Sequence, residues 1–563
     1  MRVAALALGC SLAALLAACS GAPVEASAPA AKAPQGIAVG EPAPGLIEVG
    51  QLKRDTEILA SDEFEGREPG TAGEEKTVSY IADRMAKIGL KPGAGGSWYQ
   101  QVPLVTMTTD PKRADLRVGG AVYKYGSDVV LWTKRQQPQV SLSNSDLVFV
   151  GYGVNAPERN WNDYAGVDVK GKTVVILIND PDWQNKPGEG PFEGRNMTYY
   201  GRWTYKYEEA ARQGAAGAII IHDTEPAAYG WATVESSWTG PQIDMDRANK
   251  GMDRTVVEGW ITKDAAAKMF AAAGQDLAKL AEAAKQPGFK AVPLKAKASA
   301  SLSNEIKRYG SRNVVGVLPG KSRPNEYVLY SAHWDHLGHC TPDKTGDDIC
   351  NGALDNATGI AGLLGLADAF VKTGQPERSV VFLAVTGEEA GLLGSEYYAA
   401  NPLFPLAQTV GGINMDGLNI FGPTNDVVVI GGGKSELEDY LKRYAAQQNR
   451  VVVPEPTPEK GYFYRSDHFS LALRGVPMLY ADSGNDVIGK GKQWGQAQAD
   501  AYVAQHYHLP SDEYDPNWNW DGAVRDLRLY YAIGRELADT PVWPNWYPTA
   551  EFRTARDKSR GQP

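Results

Sequence analysis

Only 4 of the 563 residues are cysteine and 7 are histidine, so metal-binding or thiol chemistry has few places to reside. Basic runs are missing too. Beyond Lys558-Ser559-Arg560 near the C-terminus there is none, and with a net charge of −10 and a pI near 5.4 the chain lacks the basic face of a nucleic-acid partner. No internal repeat, heptad run or phosphate-loop motif occurs, which excludes solenoids, coiled coils and P-loop nucleotide chemistry. The apolar run Val3 to Leu16 is too short to span a bilayer. What remains, 43% hydrophobic and 22% charged, is ordinary globular protein long enough for two or three domains.

The N-terminus is expected to lie outside the fold. Arg2 supplies a short positive segment, and residues 1–18 have signal-peptide dimensions. The sequence Leu16-Ala17-Ala18-Cys19 resembles the lipobox of bacterial lipoproteins, in which the cysteine is acylated; Ser20 resembles the version routed to an outer membrane. The alternative is a plain secretory signal with Cys19 incidental. Residues 19–45, rich in Ala and Pro, cannot bury a core and read as a tether. Membrane attachment is expected only through the lipid on Cys19. Of the other cysteines, Cys10 lies in the signal, leaving Cys340 and Cys350. An exported compartment permits a disulfide closing that span of ten residues. A cysteine metal site is the alternative, poorly served by two thiols with no other local pair.

Hydrophobic periodicity divides the rest. Residues 47–90 carry helical spacing in two segments, the second with Val78, Ile81, Met85 and Ile88, separated by the turn-rich loop DEFEGREPGTAG, and a strand follows at WYQQVPLVTMT. Residues 109–302 change character, with short strands (DLVFVGYGV, TVVILIND, AAGAIIIHD) and the helix KYEEAARQGA, and read as an insertion. The interrupted domain, 46–108 and 303–545, resumes with buried strands alternating with helices, the pattern of a mostly parallel sheet covered on both faces. The tail, 546–563, continues the Trp- and Pro-rich PVWPNWYPTAEF and is expected to pack on the surface.

Residues 331–416 carry the chemistry. His333, Asp355, Glu389 and Asp416 each follow a hydrophobic run, where a strand ends and a loop begins. Ligands of open α/β sheets gather there. His508, far downstream in HYHLPSDEYD, is a fifth candidate. One imidazole type, several carboxylates and no ligand thiol suit zinc, with Mn²⁺ or Co²⁺ permitted. The expected arrangement is two zinc ions: Asp355 bridging, His333 and Asp416 on one, Glu389 and His508 on the other. Glu388 would serve as general base toward the activated water, and Asp335 would orient the His333 imidazole. Each residue has a plainer reading. Asp355-Asn356 would serve as a helix N-cap, and Glu388-Glu389 as a solvated first helical turn. The ordered conjunction favours a metal.

The motifs HWDHLG, LDNATG, TGEEAGLLGS, NMDG and YHLPSDEYD resemble, in order, those of the co-catalytic zinc exopeptidases that include bacterial aminopeptidases and glutamate carboxypeptidases. The opening DEFEGREPGTAGEEKTVSYIADRMAKIGLKP is similar to that family's N-terminal segment. LVFVGYGVNAPERNWNDYAGVDVKGKTVVIL with YEEAARQGAAGAIIIH resembles the β-rich protease-associated (PA) domain. The resemblance implies an α/β fold, an αβα sandwich with a smaller PA-like insertion, and an exported aminopeptidase acting on peptides. It also makes Tyr507 the tyrosine that steadies the tetrahedral intermediate. Alternatives are a carboxypeptidase or dipeptidase, for which Arg465 or Arg474 would capture the substrate carboxylate, a glutaminyl cyclase with its single zinc, and a non-catalytic binding module. His336 and His339 are expected in loop or supporting roles, His506 away from the metal and His222 as a structural histidine. Phe463, Tyr464, Asp467 and His468 are candidates for the pocket.

Overall fold

The computed structural model describes residues 45–561. The expected signal, the lipid-bearing Cys19 and nearly all of the tether lie outside the described residues. Among those described, no helix is long and apolar enough to cross a membrane.

The large sheet is built on four parallel strands in the spatial order Arg378–Val385, Arg323–His333, Thr409–Asn414 and Met478–Ser483. Antiparallel strands extend it on both sides. Val292–Leu318 pairs with Arg378–Val385, and Tyr99–Thr109 and then Pro241–Met245 follow outward. On the opposite edge Asp426–Val429 runs antiparallel to Met478–Ser483. Alternate residues of the central strands enter different cores, which is why those segments are apolar throughout. Val328, Tyr330, Ala332, Val380, Phe382 and Ala384 face the cluster beneath the helices Val49–Leu59, Ala72–Ile88, Thr358–Lys372 and Asp521–Asp539. Leu329, Val381, Leu383 and Val385 face a second cluster with Tyr398, Ala399 and Leu471. The result is the expected three-layer αβα arrangement.

A second sheet contains Val129–Trp132, Gln139–Phe149, Thr173–Leu177, Gly217–His222 and Val257–Thr262. It too is covered on both faces. The two sheets share one strand. Val292–Leu318 pairs with Gln139–Phe149 through its first half and with Tyr99–Thr109 through its second. A boundary at residues 302 and 303 therefore falls inside a continuous strand, and Pro241–Met245, from within 109–302, completes the large sheet.

The tail departs from expectation. Trp546 is fully buried and Phe552 nearly so, both packed in one cluster with Phe463. The buried Arg556 donates to the carbonyls of Leu406, Thr409 and Val410. These contacts make the tail part of the fold rather than a surface appendage.

Candidate metal centre

Parallel register places the predicted residues together. His333 ends its strand opposite Val385, and Asn414, paired with Ser331, ends the strand on the other side. Glu388-Glu389 and Asp416 follow those two strands directly, so all emerge at one carboxyl edge. His333 stands in the sheet's interior rather than at a lateral edge. Its Nε2 lies 3.1 Å from Asp416 Oδ1 and 3.3 Å from Asp355 Oδ1. His508 Nε2 lies 3.4 Å from Asp355 Oδ2 and 3.0 Å from Glu389 Oε2. Asp355 thus faces both imidazoles, one with each oxygen. Glu388 joins His333 and Glu389 in a group whose ligand atoms lie within 4.8 Å of one another.

The donor set fits a divalent cation. His336 Nδ1 and Nε2, Glu389 Oε1 and His508 Nε2 are buried and lack hydrogen-bond partners. Each buried polar atom left unsatisfied costs about 1–3 kcal/mol, so a concentration of them marks a place for a ligand. Burial disfavours every charge here, and the neighbours decide the outcome. Burial and the nearby Asp416, Glu389 and Asp467 carboxylates push Glu388 well above the usual carboxylate range, against the pull of His333. Glu389 is held down to about 2: His508 and His336 overcome its burial. For His508 burial is outweighed by Glu389 and Asp355, which push it up to about 10. Adjacent carboxylates driven in opposite directions are what a division between proton carrier and ligand requires.

Residues 313–532 match peptidase family M28. That span contains the whole cluster. The chain carries an M28 peptidase domain. Aminopeptidase NAALADL1 of Rattus norvegicus is 32% identical over 258 residues, 41% of this chain and 31% of its own length. Leupeptin-inactivating enzyme 1 of Streptomyces exfoliatus is 29% identical over 238 residues, 41% of this chain and 50% of its own. The chain thus spans half or less of these relatives. Among solved structures, an aminopeptidase from Aneurinibacillus sp. strain AM-1 is 20% identical with a TM-score of 0.49, covering 89% of this chain and 97% of that one.

Within the M28 domain several expectations change. Asp335 orients His333 through its backbone: the imidazole Nδ1 donates to the Asp335 carbonyl at 3.1 Å, while the carboxylate stands 3.9 Å away. That carboxylate accepts instead from the amides of Glu388 and Glu389 at 3.2 and 3.4 Å, and burial pushes it up to about 7. The helix-capping role belongs to Asn356, whose Oδ1 accepts from Gly359 N and from Gly417 N. Asp355 is thereby released toward the imidazoles. Glu388-Glu389 lie in a turn ahead of the helix Leu393–Ala400, not in its first turn. Phe463 is buried against Phe552, Tyr464 against Phe469 and His468 against Tyr480, which places them in the core rather than on a cleft wall. Asp467 is buried as well, with both oxygens lacking partners.

Other histidines sort as expected. His339 is exposed beside Asp348, His506 contacts the Ser511 carbonyl, and His222 contacts that of Tyr229. His336 does not: its Nδ1 is 2.6 Å from Glu389 Oε1, inside the cluster. Sequence reasoning also passed over two positioning residues. Asp512 accepts from the amides of Leu354 and Asp355. The buried Arg67 donates to the carbonyls of Leu59, Trp334, Asn351 and Gly352, tying together the loops that carry His333 and Asp355. Their signals were present, in YHLPSDEYD and DEFEGREPG, but a carboxylate or guanidinium bound mainly to backbone leaves no pattern of its own. The disulfide Cys340–Cys350 forms, and Cys350 Sγ lies 3.8 Å from the His508 carbonyl oxygen.

Proposed function

We propose that the chain is a metal-dependent exopeptidase of aminopeptidase type using two zinc ions. One observation carries this reading: Glu388, with a raised pKa, adjoins Glu389, which stands between the His336 and His508 imidazoles whose facing nitrogens have no aligned hydrogen-bond partner. His333, Asp355 and Asp416 would hold one ion, and Asp355, Glu389 and His508 the other. Bound there, zinc would supply Lewis acidity and an acidified water. Glu388 takes the proton of the attacking water and returns it to the leaving amine. The Asp335 carboxylate fixes the backbone on which Glu388 and Glu389 sit. Tyr507, stacked on the His508 ring at 3.8 Å, offers its hydroxyl to the developing oxyanion.

A second reading, a carboxypeptidase or dipeptidase, is favoured by Arg465. It forms no ion pair within 4.0 Å among the described residues, and Tyr507, Tyr462 and Glu388 hold its pKa up against desolvation. The further parts of the proposal are a PA-like insertion over 109–302, peptides as substrates, and export to the outer membrane as a lipoprotein anchored through Cys19.

Short peptides with free or acetylated N-termini and free or amidated C-termini decide between the readings. Loss of cleavage on acetylation, with amidation tolerated, supports the aminopeptidase. The reverse pattern supports a carboxylate-capturing enzyme. No cleavage of any peptide by the zinc-loaded protein would sink the peptidase reading in favour of a cyclase or a binding module.

A further inference from the structure

His336 is the group for which neither the fold nor the proposed two-zinc arrangement provides a role. It is 1% exposed, and a protein interior seldom leaves both nitrogens of such an imidazole without partners. Its ring is held in place. Gly352, at φ +54°, comes so close that a Cβ there would stand 2.4 Å from the ring's Cγ and 2.6 Å from its Cδ2, so the backbone clamps one face of the imidazole. The His508 ring meets it edge to face, with centroids 5.6 Å apart.

The direction of that ring matters more. Glu389 sits between two imidazoles, with Oε1 2.6 Å from His336 Nδ1 and Oε2 3.0 Å from His508 Nε2. Both approaches fall within ion-pair range, yet neither is aligned as a hydrogen bond. Donor atoms that converge without bonding to one another are arranged around a point, not along a line. His336, Asp355 and Glu389 form a group with ligand atoms within 4.8 Å of one another, sharing only Asp355 with the group of His333, Asp355 and Asp416. The spacing of three residues between His333 and His336 sends one imidazole to each group.

We propose that His336 is a fourth protein donor to the second metal position, beside Asp355, Glu389 and His508. The inference rests on the two-zinc reading. Its consequence is asymmetry. Three protein donors, His333, Asp355 and Asp416, leave the first position open to water and substrate, whereas four close the second in the manner of a structural zinc site. The second position therefore retains its ion when the first exchanges.

The test uses the mature protein and reads metal rather than hydrolysis. Zinc is titrated back into the chelator-stripped wild type, His336→Ala and His336→Asn under a competing chelator, and bound zinc per chain is measured. X-ray absorption at one equivalent counts imidazoles on the tighter ion. We expect wild type to bind two ions of unequal affinity, the tighter carrying two imidazoles. His336→Ala should weaken that ion more than about hundredfold, beyond the range for outer-shell partners, and leave the first position's affinity unchanged. That retained site and an unaltered circular dichroism spectrum establish that the variant folds. Asn keeps hydrogen-bonding capacity near Nδ1 but is a poor zinc ligand, so it should not restore binding. Unchanged tight binding in His336→Ala, or rescue by Asn to within about tenfold, overturns the proposal while leaving the two-zinc reading intact. A wild type that binds only one ion overturns both.

Discussion

Of the charged clusters buried among the described residues, one beside each sheet differs from the other in how its atoms are satisfied. In the smaller sheet's cluster Lys206 is fully buried, and burial lowers it to about 8 despite Asp180 and Asp163. Burial likewise raises Asp180 to about 7 and Asp163 to about 6. Yet Lys206 donates to the carbonyls of Tyr152 and Asn179, Asp180 accepts from Thr198, and Asp163 accepts from Val154 N and Trp161 Nε1. Every partner is internal. The cluster at the carboxyl edge of the large sheet is less enclosed, with Asp416 and His508 only half-buried; His333 Nε2 reaches Asp416 Oδ1 at 3.1 Å, but His336 Nδ1 and Nε2, Glu389 Oε1 and His508 Nε2 have no aligned hydrogen-bond partner. Buried charge and shifted pKa values therefore do not mark function by themselves; unmet donors that converge do.

The largest effect that would break this contrast is metal removal. A strong chelator should abolish hydrolysis and remove the ligand-linked stability of the native state, about 2.7 kcal/mol for metal at a hundred times its dissociation constant. Thermal unfolding with and without chelator measures it, and an unchanged midpoint would refute a bound metal. Glu388→Gln should lower kcat by about 10²–10⁴ while leaving zinc per chain unchanged, which separates proton transfer from ligation. Lys206→Met makes the converse case. Removing the ammonium leaves the buried carbonyls of Tyr152 and Asn179 unmet, which should destabilise the protein by about 1–3 kcal/mol in denaturant titration, with metal stoichiometry unaltered. The smallest effect is expected from Asp335→Asn, which loosens the turn bearing Glu388 and Glu389. Zinc affinity should fall about 10–100-fold, and an unaltered affinity would reduce Asp335 to a packing role.

Much of this was legible in the chain. Strands buried on both faces are read from continuous apolar runs, and ligands at their ends follow from the geometry of parallel sheets. His333, Asp355, Glu389, Asp416 and His508 were all recognisable that way, because each stands at the junction of a hydrophobic run or within a distinctive motif. His336 was not. With His339 it follows the strand closely, and their separation depends on a turn and on the approach of Gly352, a residue distant in the chain. The strand Val292–Leu318 hid for a different reason. Its polar middle, Ser301 to Asn313, resembles a linker, and only pairing with two sheets holds it extended.

What the sequence by itself determined was composition-limited and periodic: a negatively charged globular chain, apolar strands alternating with helices, and a candidate ligand set of which His333, Glu389 and Asp416 stand at or just beyond strand ends. Tertiary structure decided the rest. It chose which of two nearby histidines turned inward and gave helix capping to Asn356 rather than Asp355. It turned the Asp335 carboxylate onto backbone amides and drew Trp546 from an apparent tail into the core. The physical reason is common to all four. Each depends on a partner supplied by a distant segment, and periodicity records only which face of its own element a residue occupies.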